Sequence, residues 1–118
     1  MIRLTTLAIL AGLSMAAPVV AQVSAVEGNW ACRANIDGTK AGILTIYAGS
    51  YGYASANFGS AASGTGNVQM YSDGVQFIDG NLITGAGIEV GIMSFDQNGQ
   101  DILTLSTAEK PVLTCVPR

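Results

Sequence analysis

Eight carboxylates, two cysteines and scattered serines are the groups in this 118-residue sequence with chemistry to offer, and histidine is absent. Without an imidazole there is no Ser-His-Asp or Cys-His relay and no His-ligated metal site. Asp37, Asp73 and Asp79 each precede a glycine, the setting of a turn in which the carboxylate bonds nearby backbone. A general acid/base pair needs two carboxyls roughly 5–10 Å apart in a cleft, and nothing in the spacing announces one. Asp96-Gln97-Asn98-Gly99-Gln100-Asp101 sets side-chain oxygens at alternate positions around a glycine, like the start of a calcium loop, but lacks the distal bidentate Glu. Its Asn98-Gly99 reads first as a hairpin turn. Neither Lys40 nor Lys110 has a serine at the S-x-x-K spacing of a Ser-Lys hydrolase. The expectation is a protein that is not an enzyme and uses neither metal nor cofactor.

Aromatic rings are the remaining candidates, and their chemistry is binding. Ala48 to Gly66 is dominated by Gly, Ala and Ser, punctuated by Tyr51, Tyr53 and Phe58. One reading is a strand carrying both tyrosines on one face, followed by a loop over 59–64. The other is a loop at a barrel mouth that offers its rings to a ligand. Trp30, the only tryptophan, joins Tyr51, Tyr53 and Phe58 as a candidate ligand contact, with a place in the core as its alternative.

These groups must be positioned by one small domain. Residues 1–21 read as a secretory signal peptide: Arg3 supplies a positive n-region, Leu4 to Ala17 is an apolar run, and Pro18 breaks it before Val19-Val20-Ala21. The run is shorter than the roughly 20 apolar residues of a membrane-spanning helix, so no membrane span is expected. Cleavage leaves a domain over 22–118 in which eight acids face four basic side chains, Arg33, Lys40, Lys110 and Arg118. An acidic chain with so few cations is not built for a nucleic-acid backbone. Export, to the periplasm or the medium, makes a Cys32–Cys115 disulfide the simplest fate of the two thiols, since no C-x-x-C motif surrounds either.

The elements expected to hold the rings are strands. Ile43-Leu44-Thr45-Ile46-Tyr47, Val75-Gln76-Phe77-Ile78, Ile102-Leu103-Thr104-Leu105 and Val112-Leu113-Thr114-Cys115-Val116 are rich in β-branched and apolar residues and largely alternate. Asp37-Gly38, Asp73-Gly74, Asp79-Gly80 and Asn98-Gly99 are turn pairs between such segments. No later segment carries a sustained helical period. The spacing predicts an all-β fold: a small antiparallel meander barrel of about eight strands over 28–34, 41–47, 50–57, 66–71, 74–79, 82–86, 88–95 and 101–106. The segment 112–116 is then a ninth strand or the closing one. Pairing the first strand with the last brings Cys32 to Cys115.

Gly28-Asn29-Trp30 at the head of the first strand resembles the G-x-W signature of calycins, the group that includes lipocalins, avidins and small bacterial metalloprotease-inhibitor barrels. The resemblance implies a closed antiparallel barrel whose Trp packs across one end. It also implies a cation from the last strands, Arg118 or Lys110, stacked on that ring. The domain is much shorter than a typical lipocalin, so a narrow cavity is expected, and the aromatic set of a biotin site is missing. The function this implies is an exported, non-enzymatic binding module for a small apolar ligand or a protein partner. Its rivals are an inhibitor of a secreted protease acting through Gln22–Glu27, and a structural protein of the cell envelope.

Overall fold

A computed structural model of the protein describes residues 25–118. Residues 1–21, read above as a signal peptide, and 22–24 lie outside the described residues. Eight strands follow in chain order: β1 Gly28–Ala34, β2 Lys40–Tyr47, β3 Ser50–Ser55, β4 Gly64–Tyr71, β5 Gly74–Phe77, β6 Ile88–Phe95, β7 Asp101–Thr107 and β8 Pro111–Pro117. Each pairs antiparallel with its sequence neighbour, and β1 pairs with β8 to close the barrel.

The alternation of the sequence explains which side chains fill the interior. Leu44 and Ile46 of β2, Val75 and Phe77 of β5, and Leu103 and Leu105 of β7 are buried, while Thr45 and Gln76 between them face out. Successive strand residues point to opposite faces, so one face of every strand becomes core. Fully burying each such side chain contributes roughly 1.5–3 kcal/mol. Cys32 and Cys115 stand directly opposite each other in the β1–β8 register and are joined, a bond between residues 83 apart in sequence. Such a bond persists in an oxidising compartment, as exported proteins meet. Among the described residues no helix is long and apolar enough to cross a membrane.

The two ends of the barrel differ. At one end the connections are short, 48–49, 72–73 and 96–100. Ala48 and Gly49 both hold positive φ, 52° and 84°, the geometry of a tight hairpin turn that follows strand twist. The Ala48 N–H donates to the Glu27 carboxylate at 2.7 Å, which ties the incoming chain to that turn. Val26, wholly buried, accepts the indole N–H of Trp30 at 2.8 Å and closes this end.

The other end, the mouth, carries the two longest connections, 56–63 and 78–87, beside 35–39 and 108–110. All three register shifts of the barrel fall toward it, at Cys32/Arg33, Ile88/Val90 and Leu105/Ser106. Bulges bend and splay strands at barrel rims. The segment 82–86, expected to be a strand, is instead part of a short helix, α1 Asn81–Ala86. Six residues cannot display a helical period, and Ile83, Thr84 and Gly85 are poor helix formers. Tertiary contacts outweigh that preference. Leu82 is wholly buried, and Gly87 caps the helix in the left-handed conformation.

Candidate functional site

The mouth holds a concavity of about 300 Å³. The buried side chains of Tyr53, Leu82 and Ile88 line its depth, with Leu113 beside them. Small residues, Ala34, Ala41, Ala62 and Ala86, leave the space open, and Thr39, Lys40, Ser55, Asn57 and Ser60 bring polar groups. Such a mix of apolar lining and a few polar groups suits a small ligand, and the volume is at the lower end of ligand sites.

Each wall has a local cause. Tyr53 has room for its ring because Gly42, diagonal to it across the β2–β3 pair, has no side chain: a Cβ there would run into the Tyr53 ring. The Tyr53 hydroxyl donates to the Ala41 carbonyl at 2.8 Å, and burial pushes its phenol above the ordinary tyrosine value. The loop 56–63 is braced by Ser63 Oγ, which accepts the Ser55 N–H at 2.9 Å. Asn81 Nδ2 donates to the Ala61 carbonyl at 3.3 Å, linking that loop to α1.

Tyr51 acts one layer behind the pocket. Its hydroxyl donates to the Asp79 carbonyl at 3.0 Å and accepts the Leu82 N–H at 3.1 Å, supplying the first turn of α1 with a partner. The ring packs edge-on against Phe77, with centroids 5.1 Å apart. Burial raises the Tyr51 phenol, the Leu82 N–H opposes that rise, and the Asp79 charge adds to it. Gly80, at φ 93°, has room for no Cβ between Tyr51 and the Thr65 carbonyl. Asp79 itself accepts the Asn67 side-chain amide and backbone N–H, and those bonds hold its carboxyl below the ordinary value.

Of the four candidate rings, the structure therefore brings one into the lining of the mouth pocket. Tyr53 lines the pocket, and Tyr51 supports α1 beside it. Trp30 is buried toward the closed end, with its N–H taken by Val26. Phe58 sits on the mouth loop, fully exposed and outside the pocket lining. The cation expected on Trp30 is not there: the ring faces the interior, Arg118 lies on the outer wall, and Lys110 belongs to the turn at the mouth. The calcium-like run is a turn, in which Asp96 Oδ1 accepts the N–H groups of Asn98 at 2.8 Å and Gln100 at 2.9 Å. Among the described residues no cluster of three acids or cysteines is placed to hold a metal.

The pocket alanines, Leu82 and Ile88 carry no chemical signature in the sequence, where Leu82 and Ile88 read only as apolar strand residues. The long Gly-, Ala- and Ser-rich gap over 56–63 is the signal that points to this end. No family model matches the chain, and no curated protein or solved structure matches it.

Proposed function

We propose that the protein is an exported, non-enzymatic binding module that takes a small, mainly apolar ligand at the barrel mouth. The observation that carries this reading is the pocket framed by Tyr53, Leu82, Ile88 and small alanines, at the end where the bulges and long connections gather. The opposite end is sealed by Val26 and Trp30, and the interior between is filled with side chains, so the ligand sits in the mouth rather than along the axis. Periplasm or medium is the location that fits a domain preceded by a signal-like segment and stapled by a disulfide. The rival in which Gln22–Glu27 enters a protease cleft finds less support, because Val26 is buried and Glu27 is bound to Ala48.

The test uses the neutral fluorophore N-phenyl-1-naphthylamine. It is expected to brighten on saturable binding to the wild type. Ala86→Trp, at an exposed helix position lining the pocket, is expected to fill the space and abolish that signal without lowering the melting temperature. Absence of saturable binding to the wild type, or binding indifferent to Ala86→Trp, overturns the reading.

A further inference from the structure

A second and larger concavity, about 450 Å³, lies on the outer wall of β1, β2 and β3. Its lining includes the small or apolar residues Ala31, Ile43 and Ala54, together with Arg33, Lys40 and Arg118. The described part of the chain has four basic side chains, and three of them line this groove; no Asp or Glu side chain joins the lining. In a protein of net charge −3 this is a concentration of positive potential against the overall sign.

The strand register makes the grouping costly. Arg33 and Lys40 are direct cross-strand partners of β1 and β2, and like charges in that relation repel. The bulge at Cys32/Arg33 is what aligns them. Arg33 donates one N–H to the Gly38 carbonyl at 2.9 Å, which fixes the guanidinium and leaves its other donors free. Arg118 is drawn to the same wall by its backbone N–H, which donates to the Asn29 carbonyl at 3.0 Å. Among the described residues none of the three cations forms an ion pair with an Asp or Glu side chain.

From this geometry we infer that the outer groove is a binding site for an amphipathic organic anion: a carboxylate or phosphate headgroup held by the cross-strand pair Arg33 and Lys40, with an apolar body over Ala31, Ile43 and Ala54 and the positive charge of Arg118 toward the far end of the groove. Charge complementarity selects the headgroup, and the planar guanidinium forks suit its oxygens. A peptide is disfavoured as occupant because the closed barrel leaves no strand edge free to pair with it. Lys40 and Ser55 stand on the rim shared with the mouth pocket, but the inference does not rest on that pocket's function.

The experiment titrates the oxidised protein with decanoate, decyl phosphate, inorganic phosphate and decyltrimethylammonium, below micelle-forming concentrations, by calorimetry and backbone NMR. Both decyl anions are expected to bind and to shift the amides of Ala31, Ile43 and Ala54. Inorganic phosphate should bind at least about tenfold more weakly, and the decyl cation not at all. Raising salt from about 50 to about 500 mM should weaken the anions. The Arg33→Gln/Lys40→Gln/Arg118→Gln variant changes three exposed side chains and should lose at least about tenfold in affinity with its melting curve intact. Failure of the decyl anions to bind, equal binding of inorganic phosphate, or affinity unchanged in the variant overturns the proposal. So do shifts confined to Leu82, Ala86 and Leu113, which would place the anions in the mouth. Loss of the fluorophore result leaves this outcome untouched.

Discussion

Trp30 and Tyr53 are neighbours of the same core residue, Leu44, in the strand register, and yet they have different jobs. Trp30 is 2% exposed and spends its only polar atom on Val26, so its role is to fill and close the lower end. Trp30→Ala is expected to cost roughly 3–5 kcal/mol, a large share of the stability of so small a domain. Wild-type fluorescence should be blue-shifted and resistant to aqueous quenchers. Thermal melts check this: a Trp30→Ala protein that melts like the wild type would show that the ring carries little of the core. Tyr53 has its hydroxyl bound too, but its ring reaches the mouth, so it serves both the wall and the pocket.

At the scale of elements, α1 and the loop 56–63 form one unit, held from below by Tyr51. A helix this short has no stability of its own and depends on tertiary partners. Tyr51→Phe keeps the ring against Phe77 but leaves the Leu82 N–H and the Asp79 carbonyl without the hydroxyl they share. The expected loss is about 1–3 kcal/mol, the penalty for polar groups left unpaired in a buried setting. It should be local: hydrogen exchange of the Leu82 amide is expected to quicken well before amides in β2 and β7 do. A uniform change across the barrel would contradict the view of Tyr51 as the support of α1.

For the whole molecule, closure and covalent linkage reinforce one another. The β1–β8 pairing sets Cys32 opposite Cys115, and the bond then removes from the unfolded chain the freedom of a loop spanning 83 residues. In the chain-entropy account such a bond contributes roughly 4 kcal/mol. The oxidised protein should therefore show no reactive thiol under denaturing conditions. The Cys32→Ser/Cys115→Ser double variant is expected to keep the barrel, judged by circular dichroism, and to melt at a markedly lower temperature. Two titratable thiols in the oxidised wild type would contradict this.

Much of the architecture was legible in residue order alone. Alternation in 43–47, 75–78 and 102–105 identifies strands because a pleated backbone has a period of two, and the glycine-containing pairs between them mark reversals. The cysteine pair near the chain ends implied that first and last strands meet, and the register bears this out. What the sequence could not decide depends on contacts distant along the chain. Whether 82–86 is strand or helix rests on a hydroxyl 31 residues away, beyond the reach of local propensity. Which ring faces a pocket depends on barrel tilt and on where Gly42 makes room, so Trp30, Tyr51, Tyr53 and Phe58 looked alike until closure separated them. The gathering of Arg33, Lys40 and Arg118 was equally hidden, because a one-residue bulge and the last pairing of the barrel bring those charges to one wall.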